Sequence, residues 1–425
     1  MRVLKAKCVD SRVENSSENL QTAEQVMSQS DQPLADITVL DFGQVYNGPY
    51  CGFLLAQAGA RVIKVESRIG ETLRTRGAAA PSSYPFALLN TNKQCITLNI
   101  QSRDGQALLK KLVQHVDVVT ENFAPGTMDK YGIGADALCA LNPRLIYAAS
   151  TGYGASGPYR DYLGMDITLQ AMSGVMSVTG EGDGPPLKTA AAFADFLGGT
   201  HLYAGVLTAL HQRTRTSKGS VVDISMQDCV FPTLATALGS FFVAGGKQGP
   251  RRGNKHPGLA LAPYNVYPAK DGYVAIICIR EGHFRNLCEA IAQPALVEDE
   301  RFATNAARCK NMMALDAVIG VWTQSLPKWE VFAKTQAHGV ICAPVNDLAD
   351  VIRDPQLLSR ETLKWRPHKG FGEIPQMHTP LRFRGFNPPE LTDVPALGTD
   401  TDRILKELAG VDDAEIARLR AVEAI

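Results

Sequence analysis

Residues 37–42 read ITVLDF, 43–49 GQVYNGP, 50–60 YCGFLLAQAGA and 61–66 RVIKVE. The first and last segments are short apolar runs rich in β-branched side chains, which predicts two buried strands. The segment between them reads as a helix entered through a turn marked by glycine and proline. Strand, helix and strand in about 30 residues make a βαβ unit. Such a unit pairs its strands in parallel through a right-handed crossover.

The alternation continues outward. Residues 95–100 read as a strand, and 104–115 as a helix with Leu108, Leu109, Leu112 and Val113 on one face. Strand 116–120, a short helix at 135–141 and strand 145–150 follow. This pattern predicts an α/β fold, a Rossmann-like large domain with a mostly parallel sheet. A loop, TGYGASGPYRDYLGM, occupies 151–165, with helical patterns at 166–178 and about 197–215. Residues 220–226 read as a strand and 227–243 as one long helix. A basic, punctuated loop, GGKQGPRRGNKHPG, spans 245–258. Two β-type runs at 264–267 and 273–279 flank PAKDG, where Asp-Gly signals a hairpin. With helices at about 282–291, 312–325 and 328–337 they form a smaller α+β unit. Residues 340–345 read as a strand, 347–353 as helical, 376–385 as extended, and 399–408 and 413–423 as a helical tail. The expected organisation is a disordered N-terminal extension at 1–35, a large domain built from 36–220 and 340–425, and linkers with the small unit at 221–339.

The chain has 425 residues, with 43 basic and 43 acidic side chains, so it carries no net charge. That length gives two or three domains with ample cores. A dedicated nucleic-acid binder would show a basic excess, so no nucleic-acid partner is expected. No apolar run reaches membrane-spanning length, and no membrane association is expected. The nine cysteines are scattered and never form CxxC, which favours free thiols in a reducing compartment, hence a cytoplasmic location. No Cys or His pair has ligand-type spacing beside a second pair, so no metal is expected. Asp10, Glu14, Glu18 and Glu24 in the polar first 35 residues fit neither a secretory leader nor an acid-poor transit peptide.

Several features carry candidate chemistry. Gly43 and Gly48 stand where a phosphate loop would, yet Pro49-Tyr50 follows instead of Lys-Ser/Thr, and GxGxxG spacing is lacking. They serve either a tight turn or a helix N-terminus facing an anionic ligand. Asn122 and Phe123 directly follow a strand, where open α/β sheets bind ligands. Asp195 lies in AAFADFLGGT among apolar and small residues, and Asp166 is a second acid in apolar surroundings. Asp195 is either a helix cap or a nucleophile, with Gly198 and Gly199 admitting close approach. His256 in GNKHPG is a candidate for an active-site loop. His201 and His211 read as packing or surface residues, and the remaining histidines form no triad. Lys247, Arg251, Arg252 and Lys255 read as a solvated loop or as partners for a carboxylate.

Taken together, LDFGQVYNGPYCGFLLAQAGARVIKVE, NKQCITLNI, ENFAPGTMDKYGI, NPRLIYAASTGYGASGPY, GMDITLQAMSGVMSVTG, ADFLGG, GNKHP, GVICAPVNDLADVIRDPQ and LGTDTDRIL resemble the class III coenzyme A transferases. This family includes formyl-CoA, carnitine-CoA and succinyl-CoA-dependent transferases and is related to the α-methylacyl-CoA racemases. The resemblance spans about 36–410. It implies that Asp195 is the catalytic aspartate and that Asp166, with Met165, approaches the thioester end of CoA. Tyr46 and Asn47 match a backbone contact to CoA in the first turn. Ser67 matches an Arg of some members, and here the Arg is next door, Arg68. Leu98 to Gln101 match the adenine neighbourhood. Asn122, Phe123 and Ala124 match the pantetheine and adenine cradle, and Lys130 matches a phosphate partner.

The racemase branch carries a His where this chain has Met165, and Met cannot exchange a proton, which disfavours 2-methylacyl-CoA racemisation. The formyl-CoA branch carries a glycine run where this chain reads GNKHPG. The family mechanism implies transfer of CoA from an acyl-CoA, with succinyl-CoA the expected donor, to a small dicarboxylate through an aspartyl anhydride and an aspartyl-CoA thioester on Asp195. It needs no permanently bound cofactor, since the coenzyme A thioester is itself the substrate. Backbone N–H groups at Gly198 and Gly199 would stabilise the oxyanion, and GNKHPG would cover the site. The family also implies an interlocked homodimer. A non-catalytic acyl-CoA-binding protein on the same scaffold is the other alternative, and the intact Asp195 argues against it.

Overall fold

The structure, a computed structural model of the single chain, describes residues 31–76, 83–384 and 387–425. Its centre is a six-stranded sheet of β1 (Thr38–Asp41), β2 (Arg61–Glu66), β3 (Gln94–Thr97), β4 (Val118–Glu121), β5 (Ile146–Thr151) and β6 (Ser220–Ser225). The order is β3-β2-β1-β4-β5-β6, and every neighbouring pair is parallel. The strand order therefore reverses between β1 and β4, and the crevice at such a switch point is where doubly wound sheets bind ligands.

Both faces of the sheet are covered, which is why its strands read as unbroken apolar runs. On one face Leu40, Ile63, Ile96 and Val119 pack on Leu108, Leu109 and Leu112 of helix Arg103–Leu112. That helix begins cleanly because Ser102 Oγ accepts the Gly105 N–H at 3.0 Å. The chain's end returns to this face and adds Ile404, Leu405, Ile416 and Leu419. On the other face Val39, Val62 and Ile146 meet Cys51 and Leu55 of helix α1 (Asn47–Gln57) and Leu202 and Val206. Pro49 is tolerated in α1 because first-turn N–H groups have no intrahelical acceptor.

Two further helices shape the site, α2 (Asp166–Met172) and the long α3 (Phe193–Thr216). The 227–243 segment is not one helix. It divides into Met226–Val230, a 3₁₀ turn at Phe231–Leu234 and α4 (Ala235–Val243). Pro232 lacks the N–H that a continuous helix needs there.

The smaller unit holds β7 (Tyr264–Ala269), β8 (Gly272–Ile277) and β9 (Ile341–Pro344) in one antiparallel sheet. The hairpin forms at the expected Asp-Gly. The sequence placed the return to the large domain at 340, but β9 hydrogen-bonds to β8, so the chain leaves the small sheet only after it. Of the stretch expected to be extended at 376–385, only 376 and 377 lie in a strand, the end of a hairpin of β10 (Leu363–His368) with β11 (Gly372–Met377), and 385 lies outside the described residues. The disordered extension expected at 1–35 lies outside the described residues up to position 30. From 31 onward the chain is structured, with the Leu34 N–H donating to Ala58 O at 3.0 Å.

The eight described cysteines are free thiols, and Cys8 lies outside the described residues. Burial pushes each of the eight above the usual thiol range, Cys95 and Cys278 to about 12. No helix among the described residues is long and apolar enough to cross a membrane.

Candidate active site

The turn at 43–49 is held from beneath by buried charge. Asp41, at the end of β1, accepts the Gly43 N–H at 2.8 Å and the Thr120 hydroxyl at 3.2 Å. Its second oxygen takes Lys93 Nζ at 2.8 Å. Lys93 also donates to Pro49 O and to Asn90 Oδ1, both at 3.0 Å. Lys64 Nζ donates to Gly43 O at 2.6 Å. Burial opposes the charge on Asp41, but Lys93 and Lys64 outweigh it and hold the carboxyl below its usual range. The turn is thus gripped at both ends. Asn122 closes it, accepting the Gln44 N–H at 2.7 Å and donating to Gln44 O at 3.0 Å. Val45 inside it has φ of 61°, a costly value for a β-branched residue. Such strain persists only where the surroundings over-determine it.

The turn delivers α1 against α3. A Cβ on Gly198 would lie 2.3 Å from Asn47 Nδ2, and one on Gly199 would lie 2.5 Å from Asn47 O. The two glycines therefore let α1 and α3 approach. They lie inside a regular helix, whose N–H groups belong to its own hydrogen-bond ladder, so they are not the oxyanion donors the sequence suggested. The Tyr46 ring stacks on Phe196 with centroids 5.9 Å apart, and Tyr50 meets the same ring edge-on at 4.8 Å.

Asp195 sits in the first turn of α3 and is 8% exposed. It does not cap the helix. Asp166 does so from α2, accepting the Ala194 N–H at 2.8 Å and the Asp195 N–H at 3.4 Å, while its other oxygen takes Gln170 Nε2 at 2.7 Å. The Asp195 carboxyl is pushed up to about 7, first by burial and then by the neighbouring charge of Asp166. Asp166, Asp195, Tyr46 and Asn47 thus form one group. Met165 precedes α2 with its side chain largely exposed, and Met226 packs beside Gly198.

A second group lines a cleft of about 480 Å³ at the C-terminal ends of β1 to β4. Ser67, Arg68, Leu98, Gln101 and Phe123 all line it, beside Phe42, Ile69 and Tyr131, which the sequence reading missed. Phe42 and Ile69 stand just past the ends of β1 and β2, whereas Tyr131 follows the helical turn Thr127–Lys130. Gln44 lines the same cleft and is two residues from Tyr46, so the turn joins the two groups. Arg68 pairs with Glu423 at 2.9 Å, and Ser67 Oγ donates to Gly70 O at 2.9 Å. Glu121 below the cleft accepts the Phe123 N–H at 2.8 Å and the Tyr147 hydroxyl at 3.2 Å, which fixes the backbone of that wall.

The other candidates do not line this cleft. Ala124 is exposed and accepts the Thr127 hydroxyl at 2.6 Å, and Lys130 lies over the Tyr131 ring at 5.5 Å. Asn122 spends its amide on Gln44 and does not line the cleft. Loop 245–258 packs on 177–184. The Gly253 N–H donates to Gly180 O at 3.0 Å, Gln248 donates to Ser177 O at 3.0 Å, and Arg251 is engaged by the Glu181 and Gly184 carbonyls. Arg252 and Lys255 line clefts beside this loop. His256 Nδ1 accepts the Gly258 N–H at 3.1 Å. Among the described residues no three His, Cys, Asp or Glu side chains are grouped to hold a metal ion.

The sequence pattern of CoA-transferase family III matches residues 34–401. The chain belongs to that family. Like its named relatives, this family III CoA-transferase is an enzyme of CoA transfer. It is 35% identical over 398 residues to the succinyl-CoA–D-citramalate CoA-transferase of Chloroflexus aurantiacus, covering 93% of this chain and 98% of that one. It is 35% identical over 409 residues to a formyl-CoA:oxalate CoA-transferase of Streptomyces coelicolor, covering 91% and 98%. A CAIB/BAIF family protein from Brucella suis has the same fold, with a TM-score of 0.79, 36% identity, and coverage of 89% of this chain and 99% of that one. In this family III chain the 43–49 turn lies between the cleft at the sheet's switch point, which Gln44 lines, and α3, on which Tyr46 and Asn47 pack.

Proposed function

We propose that this enzyme carries CoA from succinyl-CoA to a small free dicarboxylate, with Asp195 as the transient carrier. The observation that carries the reading is the placement of Asp195: a buried carboxyl in a first helical turn, accepting no hydrogen bond from any described residue and titrating near 7. Such a group is left free to form a bond. Its oxygen attacks the donor thioester carbonyl, the C–S bond breaks, and a mixed anhydride forms with release of CoA thiolate. The thiolate attacks the Asp195 Cγ, the anhydride C–O bond breaks, and succinate leaves an aspartyl-CoA thioester behind. The acceptor carboxylate then runs the same two steps in reverse. In this reading CoA lies with its adenine end among Ser67, Arg68, Leu98, Gln101 and Phe123, and its chain follows Gln44 to Tyr46. Succinyl-CoA is favoured as donor because several relatives are named for succinate or succinyl-CoA.

Incubation with succinyl-CoA and a panel of carboxylates, read by mass, is expected to give new thioesters from small dicarboxylates. Hydroxylamine trapping is expected to mark the peptide that contains residue 195. A mark elsewhere, with transfer intact, would move the carrier to another residue.

We also propose a homodimer. The support is α4, ATALGSFFV, which is apolar along its length yet has no buried residue, with Phe242 at 71% and Val243 at 91% exposure. An apolar helix left uncovered is an interaction surface, and a second copy is the partner the family organisation implies. Light scattering is expected to give about twice the 45.9 kDa chain mass, and a monomer in solution would sink this reading. The free thiols suit a reducing compartment, which supports a cytoplasmic location.

A further inference from the structure

We propose that the Asn47 side-chain amide is a catalytic group of the transfer, donating from Nδ2 to the oxyanion formed at the Asp195 acyl carbon. The inference rests on the carrier role of Asp195 and adds a residue to it. Asn47 is 1% exposed, yet neither Oδ1 nor Nδ2 has a hydrogen-bond partner among the described residues. The polar side chains that hold the 43–49 turn from outside are each bonded to it: Asp41 to Gly43, Lys64 to Gly43, Lys93 to Pro49, and Asn122 to Gln44. A buried amide with both ends idle is unfavourable for the fold alone, because its water contacts are lost and nothing replaces them. Native structures keep few such groups, and those they keep call for a reason such as catalysis or an unplaced ligand.

Its location supplies the reason. In an α-helix each side chain leans toward the N-terminus and covers the turn before its own Cα. The side chain missing at Gly198 would therefore cover the turn that holds Asp195, one turn earlier on the same face. Asn47 Nδ2 fills that space, since a Cβ on Gly198 would meet it at 2.3 Å. The glycine makes room for the amide, and the amide lies over the carboxyl's turn. In the resting chain Asn47 makes no hydrogen bond to Asp195. When thiolate or carboxylate adds to Cγ, the carbonyl oxygen of the acylated side chain becomes negative. An N–H already desolvated and held by packing then gains most, and it gains in the tetrahedral state and not before. When Cγ–O or Cγ–S breaks, the charge leaves with the carboxylate or thiolate and the amide is idle again.

The test uses the full-length enzyme and exchange of ¹³C-succinate into succinyl-CoA, a reaction that needs no knowledge of the acceptor. Asn47→Leu keeps the shape and removes both polar atoms, and Asn47→Ala guards against a clash of the branched side chain with Gly198. The expected result is a kcat about 100-fold lower, the loss typical of one oxyanion donor, with CoA affinity and oligomeric state unchanged and Tm equal or higher. An unchanged kcat would overturn the proposal. So would a lower Tm or dissociation in both variants, which would assign the amide to packing or to a subunit interface. Asp195→Asn is run beside them. If that variant exchanges normally, the carrier reading fails and this proposal with it. If it is inactive while Asn47→Leu matches wild type, only this proposal fails.

Discussion

Asp195→Asn is expected to abolish CoA transfer, by roughly 10⁴-fold or more, while CoA still binds and the folded protein becomes more stable above pH 7. The loss of rate follows from removing the only oxygen nucleophile the proposed route uses. The gain in stability follows from linkage. A carboxyl that titrates at about 7 in the fold and near 3.8 when unfolded binds its proton more tightly in the native state. Stability therefore falls as pH rises between those values, and above 7 the ionised carboxylate costs the fold roughly 4 kcal/mol. The neutral amide of the variant escapes that cost. On the proposed route the same ionisation creates the nucleophile in the wild type, so kcat/KM is expected to rise with pH through about 7. Denaturant titrations of both proteins on either side of that value, with a pH–rate profile, check both halves. Equal stability of the two proteins above pH 7 would mean that burial does not perturb Asp195.

Lys93→Met is expected to have the second-largest effect. It leaves the fully buried Asp41 carboxylate without the cation bonded to it, with only Lys64 nearby, and takes a donor from two further acceptors, Pro49 O and Asn90 Oδ1. Breaking one side of a buried pair costs about 3–5 kcal/mol, which for a chain of this size lowers Tm by roughly 5 °C. CoA binding is expected to weaken as well, because the turn that this pair supports carries Gln44 to Asn47 between the cleft and Asp195. The double change Asp41→Asn with Lys93→Met is expected to recover part of the stability, since no lone charge is then buried. A double variant no more stable than Lys93→Met would show that the Asp41 charge is not what suffers. Thermal melts and CoA titration separate the two effects.

Much of the fold was legible because its signals are local. Strands β1, β2, β4 and β5 announce themselves as apolar runs, and the long α3 by its length. The kinked 227–243 segment was misread because a single Pro232 was weighed less than the apolar run around it. The β10–β11 hairpin was missed because Pro367 and the glycines near 370 disguise its strands. In the site, Asp195 stood out against its small apolar neighbours. The Asp41–Lys93 pair did not, because its partners are 52 residues apart in the chain and adjacent only once β1 and β3 share a sheet. The capping of α3 by Asp166 was hidden for the same reason, as was the idle Asn47 amide. A sequence displays residue types, but whether a polar atom finds a partner is decided by tertiary contact.

The state of the cysteines has a consequence for selectivity among sulfur atoms. Acyl groups migrate readily to thiolates, and only the deprotonated sulfur attacks. With all eight described thiols driven toward their protonated form by burial, the described residues offer activated acyl chains almost no thiolate at neutral pH. A CoA-transferase handles high-energy thioesters, and burial keeps these eight sulfurs from competing for their acyl groups, which on the proposed route leaves the attack to the sulfur of the coenzyme.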